Sequence, residues 1–322
     1  MKSFHQLHFD SVDVLARRFA EVVYIASRGI ATAVYLGFNL EKPILVEGPA
    51  GVGKTELAKA MAQILDVPLI RMQCYEGLDE SKALYEWKYG KQMLYTQLLK
   101  DKLGEMMAGA IGLAASMERL HAHDDLFFSA HFLEPRPLYQ ALHQERGCVL
   151  LIDEVDKSDP EFEAFLLEVL SDFQVSVPEL GTIKAKVKPI VFLTSNNTRE
   201  MSDALKRRCL HLHIPFPEPA LERRILERRV PGLSAALNRE LVAFIQAVRQ
   251  LDLKKQPSVS ETIDWAKTLL LLNAEHLSLD MVRETLNVFL KFERDIASAG
   301  EQLPALLNQA RKEAQIHRAS HA

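Results

Sequence analysis

The chain has 322 residues, of which 48% are hydrophobic and 25% are charged, and its formal net charge is −4. That length suits one large domain or two ordinary domains with a sizeable core, and the composition is typical of a soluble globular protein. An acidic balance excludes an overall basic field of the kind that attracts nucleic acid or a membrane surface.

The cysteines and the first residues indicate the environment of the protein. Three cysteines are too few and too scattered for a disulfide framework or a zinc site, so we expect each to be a small buried apolar residue. The N-terminus lacks the charged and then apolar run of a secretory signal, and no apolar stretch reaches membrane-spanning length. These features predict a cytoplasmic protein without membrane contact.

A phosphate-binding pattern is the clearest motif. Apolar positions over residues 12–40 recur at helical spacing and predict one or two helices before it. Residues 48–55 then fit G-x-x-x-x-G-K-[ST]. The preceding run, 43–47, suits a buried parallel strand, and the following run, 56–62, consists mostly of helix formers. This strand, loop and helix context predicts a nucleotide site.

The residue types of this loop have direct physical roles. Its glycines let successive backbone N–H groups point at phosphates at the start of a helix, where the helix dipole favours anions. Lys54 would reach the β- and γ-phosphates, and the Thr55 hydroxyl would ligate Mg²⁺. The predicted nucleotide-binding residues are Gly48, Pro49, Ala50, Gly51, Val52, Gly53, Lys54, Thr55 and Glu56.

A second apolar run, 148–152, ends in the carboxylates Asp153 and Glu154. At the carboxyl end of a buried strand, Asp153 can hold Mg²⁺ through its water shell, and Glu154 can polarise the water that attacks the γ-phosphate. An acidic turn after a buried strand is common by itself. Its position after a complete phosphate loop is what favours the catalytic interpretation.

Two later stretches could complete the site. Residues 190–197 predict a strand that ends in polar residues, and the amide of Asn196 could lie beside the attacking water, although asparagine is ordinary at the start of a loop. Residues 202–208 predict a short helix that ends in Arg207 and Arg208, where basic residues often only compensate the helix dipole.

Residues 68–73 predict the second strand, and the interval between it and the apolar run that begins at 148, residues 74–147, is longer than a simple crossover helix needs. We therefore expect an insertion there, with helical sequence over 93–121. Alternating aromatic residues predict a short exposed strand or hairpin within it. Local packing under a loop and a substrate-gripping loop both remain open for these residues, which are Tyr85, Trp87 and Tyr89.

The second half of the chain ends in helices. Residues 160–173 predict a helix and residues 174–185 a β-hairpin, and three alternating prolines at 215, 217 and 219 mark a linker. Helical patterns follow, and we expect the last residues to be frayed. The predicted helices cover 221–229, 241–251, 259–272 and 279–296, and the frayed end covers 311–322.

Taken in this order, the motifs resemble those of the AAA+ ATPases. Four segments are similar to the MoxR branch of that family, and most similar to its CoxD-type proteins: 153–157, 162–173, 177–181 and 194–200. The resemblance implies an α/β P-loop NTPase fold, with a parallel five-stranded sheet of order 5-1-4-3-2 flanked by helices, plus a small all-α lid domain. It implies an α/β domain at 1–214, a helix 2 insert at about 76–135, a pre-sensor hairpin at about 174–187, a lid at 220–300 and a C-terminal tail at 301–322.

The resemblance also implies roles for single residues. ATP and Mg²⁺ would bind between neighbouring subunits of a ring that is usually hexameric. Asn196 matches the sensor 1 position. Arg207 or Arg208 matches the arginine finger, which stabilises charge at the γ-phosphate of the adjacent subunit. Arg208 is favoured because it matches the arginine that the family more often places before the last strand.

One expected residue is missing. Many MoxR proteins carry a sensor 2 arginine at the start of a lid helix, but the matching stretch here, 257–265, contains none. Either Lys254 or Lys255 substitutes for it, or the lid senses nucleotide less directly.

The family typically works with a partner that carries a von Willebrand factor A domain, and it remodels or activates other proteins. For CoxD-like members this implies a client metalloenzyme that needs its cofactor inserted. Two alternatives stay open: a nucleic-acid motor or loader of AAA+ type, for which the hairpin region offers only Lys184, Lys186 and Lys188, and a binding module in which ATP merely holds a scaffold together.

The phosphate loop leads to a first testable expectation. Lys54→Ala removes the ammonium group that would neutralise the β- and γ-phosphates, so the variant should lose ATP binding in an equilibrium titration. Retained affinity would contradict the role assigned to the loop.

Overall fold

The computed structural model describes residues 9–98, 132–177 and 181–319. No helix within these ranges is both long and apolar enough to cross a membrane. The strands are β1 (Ile44–Glu47), β2 (Leu69–Gln73), β3 (Tyr85–Trp87), β4 (Leu133–Pro135), β5 (Val149–Asp153), β6 (Gln174–Val177), β7 (Gly181–Lys184), β8 (Ile190–Ser195) and β9 (Leu210–His213).

Helices surround these strands and follow them. Their bounds are α1 (Val12–Glu21), α2 (Arg28–Asn39), α3 (Lys54–Leu65), α4 (Glu80–Leu84), α5 (Tyr89–Leu98), α6 (Pro137–Leu142), α7 (Pro160–Asp172), α8 (Asp203–Arg208), α9 (Pro219–Arg229), α10 (Ala235–Val248), α11 (Val259–Leu271), α12 (Leu279–Phe289) and α13 (Glu293–Ala319).

A parallel five-stranded sheet forms the centre, in the order β2-β5-β8-β1-β9. Counted among themselves in chain order, these are strands 2, 3, 4, 1 and 5. Read from β9, the order is therefore 5-1-4-3-2, which confirms the predicted topology. Because all five strands run the same way, the segments after β1, β5 and β8 leave the sheet at the same edge.

Helices cover both faces of this sheet, as the wholly buried strands β1, β5 and β8 require. Alternation along β1 shows the two layers. Ile44 and Val46 pack into the cluster that contains α1, α2 and α3, while Leu45 packs into the cluster on the side of α6 and α7. The sheet is thus the shared wall of two hydrophobic cores.

The insertion after β2 contains a small antiparallel pair, β3 with β4. Trp87 is buried against Phe132 and Leu133 in a cluster of its own, which supports the packing interpretation for this tryptophan, whereas Tyr89 is exposed. Helix α5 covers the start of the predicted helical sequence at 93–121. The rest of that prediction lies outside the described residues.

Strands β6 and β7 form the predicted hairpin, of which residues 178–180 lie outside the described ranges. The three cysteines are free and buried, as expected. Burial raises the pKa of each thiol to about 12, so none is a reactive thiolate near neutral pH.

Beyond the linker the chain is helical, but two boundary predictions are wrong. The single helix expected over 279–296 is two helices, because Leu290 is buried in an extended conformation between α12 and α13. The tail expected at 301–322, frayed from 311, is instead the continuation of α13 to Ala319. Its apolar positions follow helical spacing and are buried in the core of the lid: Leu303, Leu306, Leu307 and Ala310.

A buried ion pair organises the lid at its junction with the linker. Glu222 is fully buried, and the Arg249 guanidinium donates to both of its carboxylate oxygens at 2.7 and 2.8 Å. Thr262 donates a further hydrogen bond to Glu222, and Arg249 Nε donates to the carbonyl oxygen of Pro257 at 2.8 Å. Three lid helices and the loop before α11 therefore meet at one charge pair.

This pair leads to a stability prediction. Arg249→Met leaves the Glu222 carboxylate buried without a counter-charge, so urea denaturation should show a loss of about 3–5 kcal/mol in the free energy of unfolding. Arg228→Gln, at an exposed position of α9, is the matched control and should change it by less than about 0.5 kcal/mol. Equal effects of the two variants would contradict the structural role of the pair.

Candidate active site

The phosphate loop leaves β1 in a conformation that requires glycine. Gly48 has φ 147°, and a Cβ there would lie 2.1 Å from the carbonyl oxygen of Ile214. Gly51 has φ 72°, and a Cβ there would lie 2.5 Å from Ser258 Oγ. The loop is therefore packed between the end of β9 and the lid, and side chains at these positions would push both away.

Lys54 is buried at the centre of the predicted site. Its ammonium group donates to the carbonyl oxygens of Gly48 at 2.6 Å and Pro49 at 2.7 Å, and to Asn196 Oδ1 at 2.8 Å. Burial lowers the pKa of Lys54, although three nearby carboxylates oppose this effect. One side chain thus joins the phosphate loop to the segment after β8, which brings two of the predicted motifs into contact.

Asp153 is almost fully buried and receives several donors. The Thr55 hydroxyl lies 3.3 Å from Asp153 Oδ1, and the Thr194 hydroxyl donates to the same oxygen. On the other oxygen, Arg71 Nη2 donates at 2.6 Å and Arg71 Nε at 3.0 Å. The carboxylate is therefore held in one orientation by residues from β2, α3 and β8.

The pair of Thr55 and Asp153 fits Mg²⁺ in its chemistry. A hydroxyl and a carboxylate are hard oxygen ligands, and Mg²⁺ takes one or two protein ligands of this type while keeping water and phosphate in its other positions. Among the described residues, no group of three or more histidine, cysteine or carboxylate side chains could hold a metal by itself. A site shared with a nucleotide agrees with that donor set.

Glu154 lies beside Asp153 in a left-handed backbone conformation, with φ 56°. Gln73 Nε2 donates to its Oε2 at 2.8 Å, and Lys157 Nζ donates to the same oxygen at 2.6 Å. Asn196 Nδ2 approaches Oε1 at 3.4 Å. Strained backbone of this kind is found where a side chain must be aimed, and here it directs the carboxylate toward the amide of Asn196.

A third carboxylate positions Asn196. Asp156 Oδ2 accepts the backbone N–H of Asn196 at 3.2 Å and the N–H and hydroxyl of Thr198 at 3.0 and 2.6 Å. Although burial acts in the opposite direction, these hydrogen bonds lower the pKa of Asp156 below its usual value. The carboxylate therefore stays ionised and fixes the start of the loop after β8.

The two candidate finger arginines lie apart from this cluster, at the exposed end of α8. Arg208 donates to the Ser171 hydroxyl at the end of α7. Arg207 is exposed. The structure therefore joins Lys54, Thr55, Asp153, Glu154 and Asn196 at one edge of the sheet, and it leaves Arg207 and Arg208 on the surface of the chain.

A cavity of about 320 Å³ lies beside the phosphate loop. The segment between α1 and α2, the loop itself, the linker after β9, and helices α9 and α11 line it, mostly with apolar side chains. Tyr24 projects into it next to Gly53, and burial, with a smaller contribution from Glu56, raises the pKa of its phenol well above the usual range. The cavity has the size and character of a site for a small planar ligand.

The lid contacts the phosphate loop directly. At the start of α11, the Ser260 backbone N–H donates to the carbonyl oxygen of Gly51 at 3.3 Å. From α9, Arg229 Nη2 donates to Glu56 Oε2 at 2.7 Å, and both residues line the cavity. The contact joins positions 173 residues apart in the chain.

The lysines considered as substitutes for a sensor 2 arginine are engaged elsewhere. Lys254 Nζ lies 4.1 Å from the centre of the Phe292 ring, and Lys255 Nζ donates to Glu261 at 3.0 Å. Neither lines the cavity. Among the described residues, Arg229 is a cation of the lid that contacts the nucleotide domain, at Glu56. No sequence pattern indicated it, because α9 lies outside the stretch that matches the sensor 2 motif.

Comparison with known proteins fits this geometry. The family described as AAA domain (dynein-related subfamily) matches residues 43–209, which contain the whole carboxylate and phosphate-loop cluster. The chain belongs to this AAA family. The protein is accordingly an AAA+ ATPase, with ATP and the usual Mg²⁺ as cofactors, and AAA+ proteins generally assemble as rings.

More distant similarities add little. Uncharacterized proteins of Staphylococcus aureus strains USA300 and NCTC 8325 are 22% identical over 240 residues, which cover 72% of this chain and 77% of theirs. The Thermotoga maritima RuvB Holliday junction branch migration motor aligns at 16% identity and a TM-score of 0.44, over 89% of this chain and 73% of that one. A point mutant of the same motor aligns at 17% identity and a TM-score of 0.45, over the same shares of the two chains. Likeness at this level carries no functional argument.

The ion pair between lid and nucleotide domain can be tested in the AAA protein by a double-mutant cycle. Arg229→Gln should speed ATP dissociation roughly two- to fivefold in stopped-flow measurements, because a half-exposed pair of this kind contributes about 0.5–1 kcal/mol. In the Glu56→Gln background the same change should have almost no effect. If the two substitutions increase the rate of ATP dissociation additively, Arg229 acts without Glu56. Arg228→Gln serves as the control.

Proposed function

We propose that this ATPase belongs to the MoxR branch, resembles its CoxD-type members, and uses ATP hydrolysis to remodel or activate a client protein. The observation that carries the catalytic part is the convergence of Lys54, Asp153, Glu154 and Asn196 at the carboxyl edge of the sheet. A site that only held nucleotide as a scaffold would not need a carboxylate aimed at a sensor amide.

The proposed roles of the site residues follow from their contacts. Backbone N–H groups of the phosphate loop, apart from Pro49, which has none, hold the phosphates, and the Lys54 ammonium exchanges the carbonyl oxygens of Gly48 and Pro49 for the β- and γ-phosphate oxygens. Thr55 and Asp153 would hold Mg²⁺ between them, the hydroxyl as a ligand and the carboxylate through the water shell of the ion. When bound, Mg²⁺ neutralises charge on the phosphates and orients them.

Glu154 and Asn196 would assist the attack of water on the γ-phosphate. Glu154 would accept a proton from the attacking water, while the Asn196 amide holds that water and the γ-phosphate in line. Gln73 and Lys157 donate hydrogen bonds to the Glu154 carboxylate, so its orientation depends on them. The cavity beside Tyr24 would receive the base and ribose.

Assembly into a ring, which we propose is hexameric, would complete the site. Arg208, or else Arg207, would approach the γ-phosphate of the adjacent subunit and stabilise charge that develops in transfer. The exposed end of α8 supports this role, because a side chain that acts on a neighbouring subunit must lie at the surface. For Arg208, the contact with Ser171 keeps the guanidinium in place on α7.

We further propose a cytoplasmic protein in which the α/β domain over 1–214 carries the nucleotide site. The lid then forms one unit from 220 through 319, since α13 belongs to its core. A partner with a von Willebrand factor A domain would supply recognition, and the client would be a metalloenzyme that needs its cofactor inserted. The resemblance of the motifs to CoxD-type proteins supports this assignment. The test is whether the client metalloenzyme gains activity when the ATPase, ATP and that partner are all present.

The alternative, a nucleic-acid motor or loader, finds little support around the hairpin. Lys186 pairs with Glu145 and Lys188 pairs with Glu41, so two of the three lysines are balanced within the chain. Salt-sensitive DNA binding together with DNA-stimulated turnover would favour this alternative.

Glu154→Gln tests the catalytic base. The variant keeps the shape of the side chain but cannot accept a proton, so it should bind ATP normally and lose at least about 100-fold in turnover. If the substitution abolishes client activation while the ring stays assembled, the scaffold interpretation fails. Full client activation without hydrolysis would support that interpretation instead.

Subunit mixing tests the finger. Arg208→Ala should bind ATP and lose most turnover, and so should Glu154→Gln. Mixed rings should regain turnover, because an Arg208→Ala subunit keeps its own base and receives Arg208 from a Glu154→Gln neighbour. If mixing Arg208→Ala with Glu154→Gln subunits restores no turnover, whereas mixing Arg207→Ala with Glu154→Gln subunits does, the finger is Arg207.

A further inference from the structure

Arg71 forms the closest charged contact at the candidate Mg²⁺ carboxylate, although it belongs to no motif of the sequence. It lies on β2, and two of its nitrogens donate to Asp153 Oδ2, Nη2 at 2.6 Å and Nε at 3.0 Å. Nη2 also donates to Gln73 Oε1 at 2.7 Å, which fixes the guanidinium plane along the strand.

The two partners differ in burial. The side chain of Asp153 is 6% exposed, whereas that of Arg71 is 51% exposed. A carboxylate at this depth needs a counter-charge, because burial removes the water that would otherwise stabilise its negative charge. In the described parts of the chain, Arg71 is the one cation that forms an ion pair with Asp153, since the Lys54 ammonium donates to Gly48, Pro49 and Asn196.

The position of the pair matters for nucleotide binding. Asp153 lies next to the Thr55 hydroxyl, at the start of the helix that would receive the phosphates. A carboxylate there repels a triphosphate unless positive charge lies between or beside them. Mg²⁺ supplies such positive charge when it is bound. Without Mg²⁺, the guanidinium of Arg71 still places positive charge beside Asp153.

We propose that Arg71 is a resident counter-cation and positioning residue for Asp153, which keeps the carboxylate oriented and lets nucleotide bind before or without Mg²⁺. This inference rests on the proposed role of Asp153 as the carboxylate that binds the metal. Arg71 thereby sets how strongly nucleotide affinity depends on Mg²⁺. It acts through Asp153, and the bond geometry leaves Asp153 Oδ1 to Thr194 and Thr55.

The test is the ratio of two dissociation constants for ATP, one measured in EDTA and one at saturating Mg²⁺, by calorimetric titration of the full chain. Arg71→Gln should raise this ratio about tenfold, mainly by weakening binding in EDTA, because the Asp153 carboxylate beside the phosphate site then lacks its counter-charge. Arg71→Lys loses the paired donors but retains the charge, so it should stay within about threefold of the wild-type ratio.

Two controls separate this effect from a change of fold or of total charge. Lys186→Gln removes one cation from an exposed ion pair with Glu145 and should leave the ratio unchanged. Thermal unfolding without nucleotide shows whether Arg71→Gln is folded. An unchanged ratio in the folded Arg71→Gln variant overturns the proposal, and so does a lower ratio, since that would mean that Arg71 competes with the metal.

A second background distinguishes failure of this inference from failure of the proposed function. Asp153→Asn should reduce the Mg²⁺ dependence of binding, and if it does not, the metal role of Asp153 fails. In that background Arg71→Gln should have no further effect on the ratio. A persistent effect would mean that Arg71 acts on the phosphates directly, which overturns its role through Asp153.

Discussion

Charge compensation at the edge of a parallel sheet is the constraint on which this structure depends. Three carboxylates, those of Asp153, Glu154 and Asp156, meet at the ends of β5 and the turn after it. Three cations contact them or lie nearby: Lys54, Arg71 and Lys157. Burial makes each unpaired charge costly, so the side chains are tied into one network. The network holds the site in shape before any nucleotide enters.

In the proposed mechanism a triphosphate would change this balance, and the contacts of Lys54 indicate a route for the change. Lys54 contacts both the phosphate loop and Asn196, so its exchange of partners for phosphate oxygens alters the segment after β8. That segment leads through Asp156 and Thr198 toward α8 and the two exposed arginines. In the proposed ring, these contacts would connect the nucleotide state of one subunit to the candidate finger arginines at its surface.

The lid is connected to the same loop by a different route. The buried pair of Glu222 and Arg249 holds the carbonyl of Pro257, and the next residue, Ser258, begins α11 against Gly51. Arg229 adds a charged contact to Glu56. Because Gly51 has no side chain, the start of α11 packs directly on the backbone of the loop. The lid therefore contacts the phosphate loop although α11 carries no arginine.

The sequence by itself determined the phosphate loop and the carboxylates at the end of β5, because these depend on short patterns of backbone conformation and burial. The order of the strands followed only from the resemblance of its motifs to those of the AAA+ ATPases. The sequence also led to Asn196, since a polar residue after a buried strand of a parallel sheet must lie at the common edge. Only the tertiary structure showed that Arg71 contacts Asp153, that Arg229 contacts Glu56, that Lys254 and Lys255 turn away, and that α13 closes the core of the lid. The first two contacts join residues that are 82 and 173 positions apart in the chain. Which partner a long charged side chain contacts therefore depends on how distant segments pack.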